Sequence, residues 1–166
     1  MAGTGWLPAM IPLEAYGGDF KRYLEALYNV YRAGFITSKP TYPDRRWATK
    51  RHPVIEGKEA TFWHLISEGK VEADRIPALR RCERLPWPRP MIDAALGENV
   101  RCWRTRRGAS VRVLIAVDDF SYVIVLEDRT SYIMLWTAFY VEHAHRREDL
   151  QREWQAYATA NGVWNG

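Results

Sequence analysis

The chain has 166 residues, 47% hydrophobic and 27% charged, which indicates one folded domain with a substantial core and excludes disorder throughout. No apolar run approaches the roughly 20 residues of a membrane span, and residues 1–18 lack the basic and apolar regions of a secretory signal, so a cytoplasmic protein without a membrane partner is expected. The net charge of +4 is modest but uneven: residues 39–58, 75–89 and 101–112 carry +4, +4 and +5 and the remainder is acidic, a distribution that points to a polyanion such as RNA or DNA.

In chain order, residues 1–17 read as an irregular leader with Trp6, Pro8 and Pro12. Phe20, Tyr23, Leu24, Leu27, Tyr28 and Tyr31 recur at helical spacing and predict a helix from Asp19 to Ala33, ended by Gly34. Thr37–Lys58 contains Pro40, Pro43, Pro53 and Gly57 without periodicity and reads as a long basic loop. Helices are predicted over Glu59–Glu68 and Pro77–Arg84, with a turn of helix at Met91–Leu96 after the breaks at Pro86, Pro88 and Pro90. The pattern then changes to β-branched and aromatic runs: Val100–Thr105, Ser110–Val117, Phe120–Glu127 and Ser131–Val141, joined by short turns. The last run is apolar on both faces and should be a central strand. A closing helix is predicted over Ala144–Ala158. The fold class is therefore α+β: N-terminal helices, a four-stranded antiparallel β-meander and a C-terminal helix in a single domain, residues 1–166. Residues 1–35 form leader and helix, 36–58 the basic loop and 59–166 the core.

Cys82 and Cys102 form no CxxC pair and read as reduced buried thiols; with His52, His64, His143 and His145 they match no zinc spacing, so no metal or other cofactor is expected. His64 falls opposite the Phe62, Leu65 and Ile66 stripe of its helix and should project to water or into a cleft, where an imidazole serves acid–base chemistry. Thr137 is the hydrophilic side chain among Ile133, Leu135, Phe139 and Val141, either bonded to nearby backbone or offered to a phosphate. His145, Arg146 and Arg147 place cations at a helix start, as surface charge or around a bound anion. Arg75, Arg80, Arg81 and Arg84, and Arg101, Arg104 and Arg106, supply guanidinium forks that match phosphate oxygens. Trp47, Trp87 and Trp103 lie beside Arg46, Arg89 and Arg104, an arrangement that suits either base stacking or a core. Arg46, Arg101, Trp103, Arg104, Arg106 and Arg146 are the candidate RNA contacts.

The phrase Gly57-Lys58-Glu59-Ala60-Thr61-Phe62-Trp63-His64-Leu65 is followed by Arg81-Cys82-Glu83-Arg84-Leu85-Pro86-Trp87, and later by Leu135-Trp136-Thr137-Ala138-Phe139-Tyr140 leading into His145-Arg146-Arg147. Over roughly residues 50–157 these phrases resemble small ribonuclease toxins associated with phages and mobile elements, of the barnase–EndoU–colicin–RelE-like fold. The resemblance implies metal-independent RNA cleavage on a four-stranded antiparallel sheet, a 2′-hydroxyl attacking the adjacent phosphate. It carries His64, Arg81, Thr137 and His145 over as catalytic candidates. It also implies a toxin or defence effector with a neutralising antitoxin or immunity partner. No lysine or glutamate stands out as the general base that some members use. The alternative is a non-catalytic RNA- or DNA-binding module with a basic, aromatic-lined face; a third possibility is an interaction protein whose aromatic surface holds a partner or a second copy.

Overall fold

A computed structural model describes residues 3–42 and 45–162. Helix α1 spans Phe20–Phe35, and the Asp19 carboxylate caps it by accepting the Arg22 N–H at 3.2 Å. Tyr23, Leu24, Leu27, Tyr31 and Phe35 form its buried stripe at helical spacing. Phe20, assigned to that stripe by its spacing, is exposed at the first turn. The leader is docked rather than loose: Leu7 is buried, the Tyr23 hydroxyl donates to the Ile11 carbonyl at 2.7 Å, and the Trp87 indole donates to the Pro8 carbonyl at 2.9 Å.

After α1 come β1 (Arg46–Thr49), α2 (Ala60–Ile66), the two-residue pair β2 (Ser67–Glu68) and β3 (Ile76–Pro77), and the short helices α3 (Leu79–Glu83) and α4 (Pro88–Asp93). Then follow β4 (Arg101–Arg107), β5 (Ser110–Ala116), β6 (Tyr122–Asp128), β7 (Tyr132–Tyr140) and α5 (Ala144–Asn161). Pro88 opens α4 instead of breaking the chain, because a helix's first turn needs no proline N–H.

The main sheet has the order β1-β7-β6-β5-β4. Strands β4 to β7 form the expected antiparallel meander, but a fifth strand makes the sheet mixed: β1 runs parallel to β7, with Arg46 opposite Tyr132 and Thr49 opposite Leu135. The four-strand expectation fails because β1 lies inside the stretch that reads as a loop. Four residues are too few to display an alternation, and their partner is supplied from the far end of the chain. β7 is interior to the sheet, as its two apolar faces predict.

Helices α1 to α4 cover one face, over Val113, Ile115, Ile124, Leu126, Ile133 and Leu135. Helix α5 covers part of the other, where Leu150, Trp154 and Ala158 meet Trp103, Leu114 and Val123. A β-bulge interrupts β7: Val125 faces Thr137 but Leu126 faces Leu135, so Trp136 is an extra residue. The bulge shifts the alternation by one. Ile133 and Leu135 before it and Ala138 after it face the helical layer, while Phe139 joins the α5 side. Thr137 consequently stands beside Trp136 and not in line with Ile133 and Leu135.

Candidate active site

β1 pairs with β7 only as far as Leu135. Beyond it, the C-terminal end of α2 takes the place of a strand beside β7, and the Thr137 hydroxyl donates to the His64 carbonyl at 2.8 Å. His64 is not on an outward face of its helix. It is 4% exposed, because α2 is a seven-residue helix packed on nearly every side, with Ala60, Thr61, Phe62, Leu65 and Ile66 buried as well. Its Nε2 lies 2.6 Å from a Glu72 carboxylate oxygen and its Nδ1 lies 3.3 Å from the Trp136 carbonyl. Both neighbours are acceptors, so both contacts are made together only when each ring nitrogen carries hydrogen. Burial raises the Glu72 pKa, but the His64 hydrogen bond and charge and the Lys50 ammonium at 3.5 Å outweigh it and hold the carboxyl below its usual range.

Two arginines close the end of α2. Arg81 donates through Nη1 to the Ser67 carbonyl at 2.6 Å and, more weakly, to that of His64 at 3.5 Å. Arg75 donates from Nε to the Ser67 hydroxyl at 3.0 Å and from its terminal nitrogens to the Ser67 and Gly69 carbonyls. These bonds hold the carbonyls of Ser67, the residue that caps α2, and of Gly69 in the turn beyond it. Burial lowers the pKa of both guanidiniums, yet an arginine remains cationic there.

His64, Thr137 and Arg81 therefore meet in one open groove of about 340 Å³, lined also by Lys70, Glu72, Arg75 and Trp136. Two neighbouring depressions adjoin it along residues 136–140. One, of about 440 Å³, shares Arg81 and adds Arg80, His143 and Arg146; the other, of about 120 Å³, shares Trp136 and Thr137 and adds Arg107, Arg112 and Arg146. Seven cationic side chains line the three depressions against four acidic ones, Glu68, Glu72, Glu142 and Glu153. His145 does not line them; it is exposed and stacks on His143, with ring centroids 5.6 Å apart.

The remaining candidates separate. Trp103 is 1% exposed beneath α5 and donates to Glu153 at 3.1 Å, so it offers no face to a nucleobase. Trp87 is buried edge-on to Tyr122, and Trp47 stacks on Phe35. Arg101 lies over the Trp154 ring at 5.1 Å. Arg104 donates to Asp128 at 2.7 Å, and Arg45 binds the same carboxylate. By strand alternation Arg104 and Arg106 share the helical face of β4 with Cys102, opposite Trp103. Arg46 is exposed on β1, and Arg146 lines the groove system. The basic loop is partly spent on the fold: Lys58 is buried against Glu25 at 2.7 Å.

The residues missed in the sequence are Lys70, Glu72, Trp136, Arg107 and Arg112. The motif Val71-Glu72-Ala73-Asp74 carries no signal of its own, and only the fold sets Glu72 against His64. Among the described residues, no group of three or more His, Cys, Asp or Glu side chains is placed to hold a metal ion, and no helix is long and apolar enough to cross a membrane. No protein family, curated protein or solved structure gives a significant match to this chain.

Proposed function

We propose that this protein is a metal-independent endoribonuclease, acting as a toxin or defence effector restrained by a neutralising partner. The observation that carries the proposal is the convergence of the His64–Glu72 pair, Thr137 and Arg81 in a groove that also holds Lys70 and Arg75. Cleavage of RNA through its own 2′-hydroxyl needs a base for that proton, positive charge for the phosphorane and an acid for the departing 5′-oxygen. Glu72, a partly exposed carboxylate whose Oε1 is held by His64 and Lys50, takes the 2′-proton through Oε2, as a base weakened by those two cationic neighbours. His64, enclosed and holding Glu72 from behind, is a positioning residue. Arg81 makes its protein hydrogen bonds through Nη1, leaving Nε and Nη2 for a phosphate oxygen. With both His64 nitrogens engaged by the Trp136 carbonyl and Glu72, Lys70 is assigned to donate a proton to the departing 5′-oxygen, since arginine keeps its own.

The test is incubation of end-labelled RNA with the protein in excess EDTA. Wild type should leave products ending in a 2′,3′-cyclic phosphate, and Glu72→Gln should slow cleavage by about 10²–10⁴-fold. Intact RNA under those conditions overturns the proposal. One observation favours the non-catalytic binding module instead: Thr137, Arg75 and Arg81 all satisfy backbone carbonyls of α2 and the turn after it, as a purely structural network would. RNA that is bound but left intact by the wild type would establish that second reading.

A further inference from the structure

Helix α5 packs over β4, β5 and β6, and its Arg146 and Glu153 border a depression at the β7 bulge. Trp136, half-buried, lies there beside the smallest depression, of about 120 Å³, which also contains Thr105, Arg107, Arg112, Thr137 and Arg146. Its acid, Glu153, is already accepting the Trp103 indole N–H. Arg112 has a buried Nε without a hydrogen-bond partner, and its guanidinium lies 6.0 Å from the Trp136 ring centroid. Lys50 lies 5.7 Å from the same centroid. Both cations lie over the indole within cation–π range and the His64 ring meets it edge-on at 5.5 Å, so a stacked base would take the place of one of the two cations.

We propose that this part of the sheet is a nucleotide subsite for single-stranded RNA, with Trp136 stacking one base and Arg107, Arg112 and Arg146 receiving the adjoining phosphate. The inference rests on RNA being the ligand of the neighbouring groove. An aromatic plane ringed by cations matches a unit that is flat and apolar at one end and anionic at the other. The bulge is what creates the subsite. In an unbroken strand Trp136 and Thr137 would point to opposite faces, whereas here both border the same depression. Trp136 also borders the His64 groove, so a strand lying across the bulge would place the phosphate on the other side of the stacked nucleotide, not the one held by Arg107, Arg112 and Arg146, near Glu72 and Arg81.

The probe is a fluorescein-labelled ten-nucleotide uridine RNA, read by anisotropy in EDTA on ice, with its integrity followed on a gel in the same samples. Trp136→Leu should weaken binding by about 10- to 100-fold, the usual effect of losing one stacked base, and Trp136→Phe should restore most of it. An abasic oligonucleotide of equal length should bind wild type and Trp136→Leu equally. The double variant Arg107→Gln, Arg146→Gln, both exposed positions, should reduce the salt slope by about 0.7 per lost phosphate contact, and it carries the test if Trp136→Leu does not fold. Equal affinity of wild type and Trp136→Leu for the uridine RNA overturns the inference, as does failure of the folded wild type to bind it. Binding that depends on Trp136 without cleavage supports the subsite and removes the ribonuclease proposal. Cleavage without dependence on Trp136 does the reverse.

Discussion

His64 shows what a buried polar side chain does when its partners come from elsewhere in the chain. Its ring joins α2, the Glu72 turn and the Trp136 carbonyl at the bulge, three segments with no local reason to meet. Removing it takes the His64 contact from the part-buried Trp136 carbonyl, opens a void and removes the ring that holds the partly exposed Glu72. His64→Ala should therefore cost about 1–3 kcal/mol of stability, well above the change at an exposed helical position. Urea unfolding of the two proteins at pH 7 measures this, and a change below about 0.5 kcal/mol, typical of surface sites, would show that the two contacts contribute little. Trp103 makes the complementary point: beside an arginine in sequence, it is buried by an element that begins some forty residues later.

Among the elements, the end of β6 acts as a clamp. Asp128 receives Arg45 from the segment before β1 and Arg104 from β4, and accepts the Thr130 N–H in the turn that follows. The Arg45 hydrogen bond is the largest influence on Asp128. It and the Arg104 and Thr130 bonds outweigh burial, which acts the other way, and hold the carboxyl far below the usual aspartate range. A pKa depressed in the folded state adds stability that is complete above the unfolded value of about 3.9 and is lost as pH falls below it. Asp128→Asn should thus cost about 1–3 kcal/mol at pH 7. The gap from wild type should narrow steadily between pH 4 and pH 2. Denaturant midpoints across that range decide the matter, and a gap independent of pH would assign the loss to packing instead of charge.

At the scale of the whole molecule, positive charge is divided between the two sheet faces. Arg104 and Arg106 lie on the helical side and Arg104 is already paired, whereas Arg107, Arg112 and Arg146 adjoin the groove system. Neutralising Arg104 and Arg106 together should leave the salt dependence of RNA binding nearly unchanged. Replacing a comparable pair at the groove should lower the slope by about 0.7 per contact. A fall of that size for Arg104 and Arg106 would move the binding face to the other side of the sheet.

Most of the secondary structure was legible in the chain because it is written in local periodicity. The stripe of α1, the β-branched runs of β4 to β7 and the apolar faces of β7 each repeat often enough to be counted, and α5 extends its predicted span to Asn161. Of the site, His64, Arg81 and Thr137 were legible as residue types able to do chemistry, and the fold does bring them together. The burial of His64, its pairing with Glu72, the parallel strand β1 and the side taken by Thr137 were not legible. Each depends on contacts between distant segments. A helix of two turns is covered according to what packs round it, not by its own wheel, and one extra residue at Trp136 reverses the facing of everything after it in the strand. Local sequence determined which elements form and which side chains were available to them; tertiary packing alone decided which of those side chains share a groove, because sequence separation sets no bound on proximity once the sheet has closed.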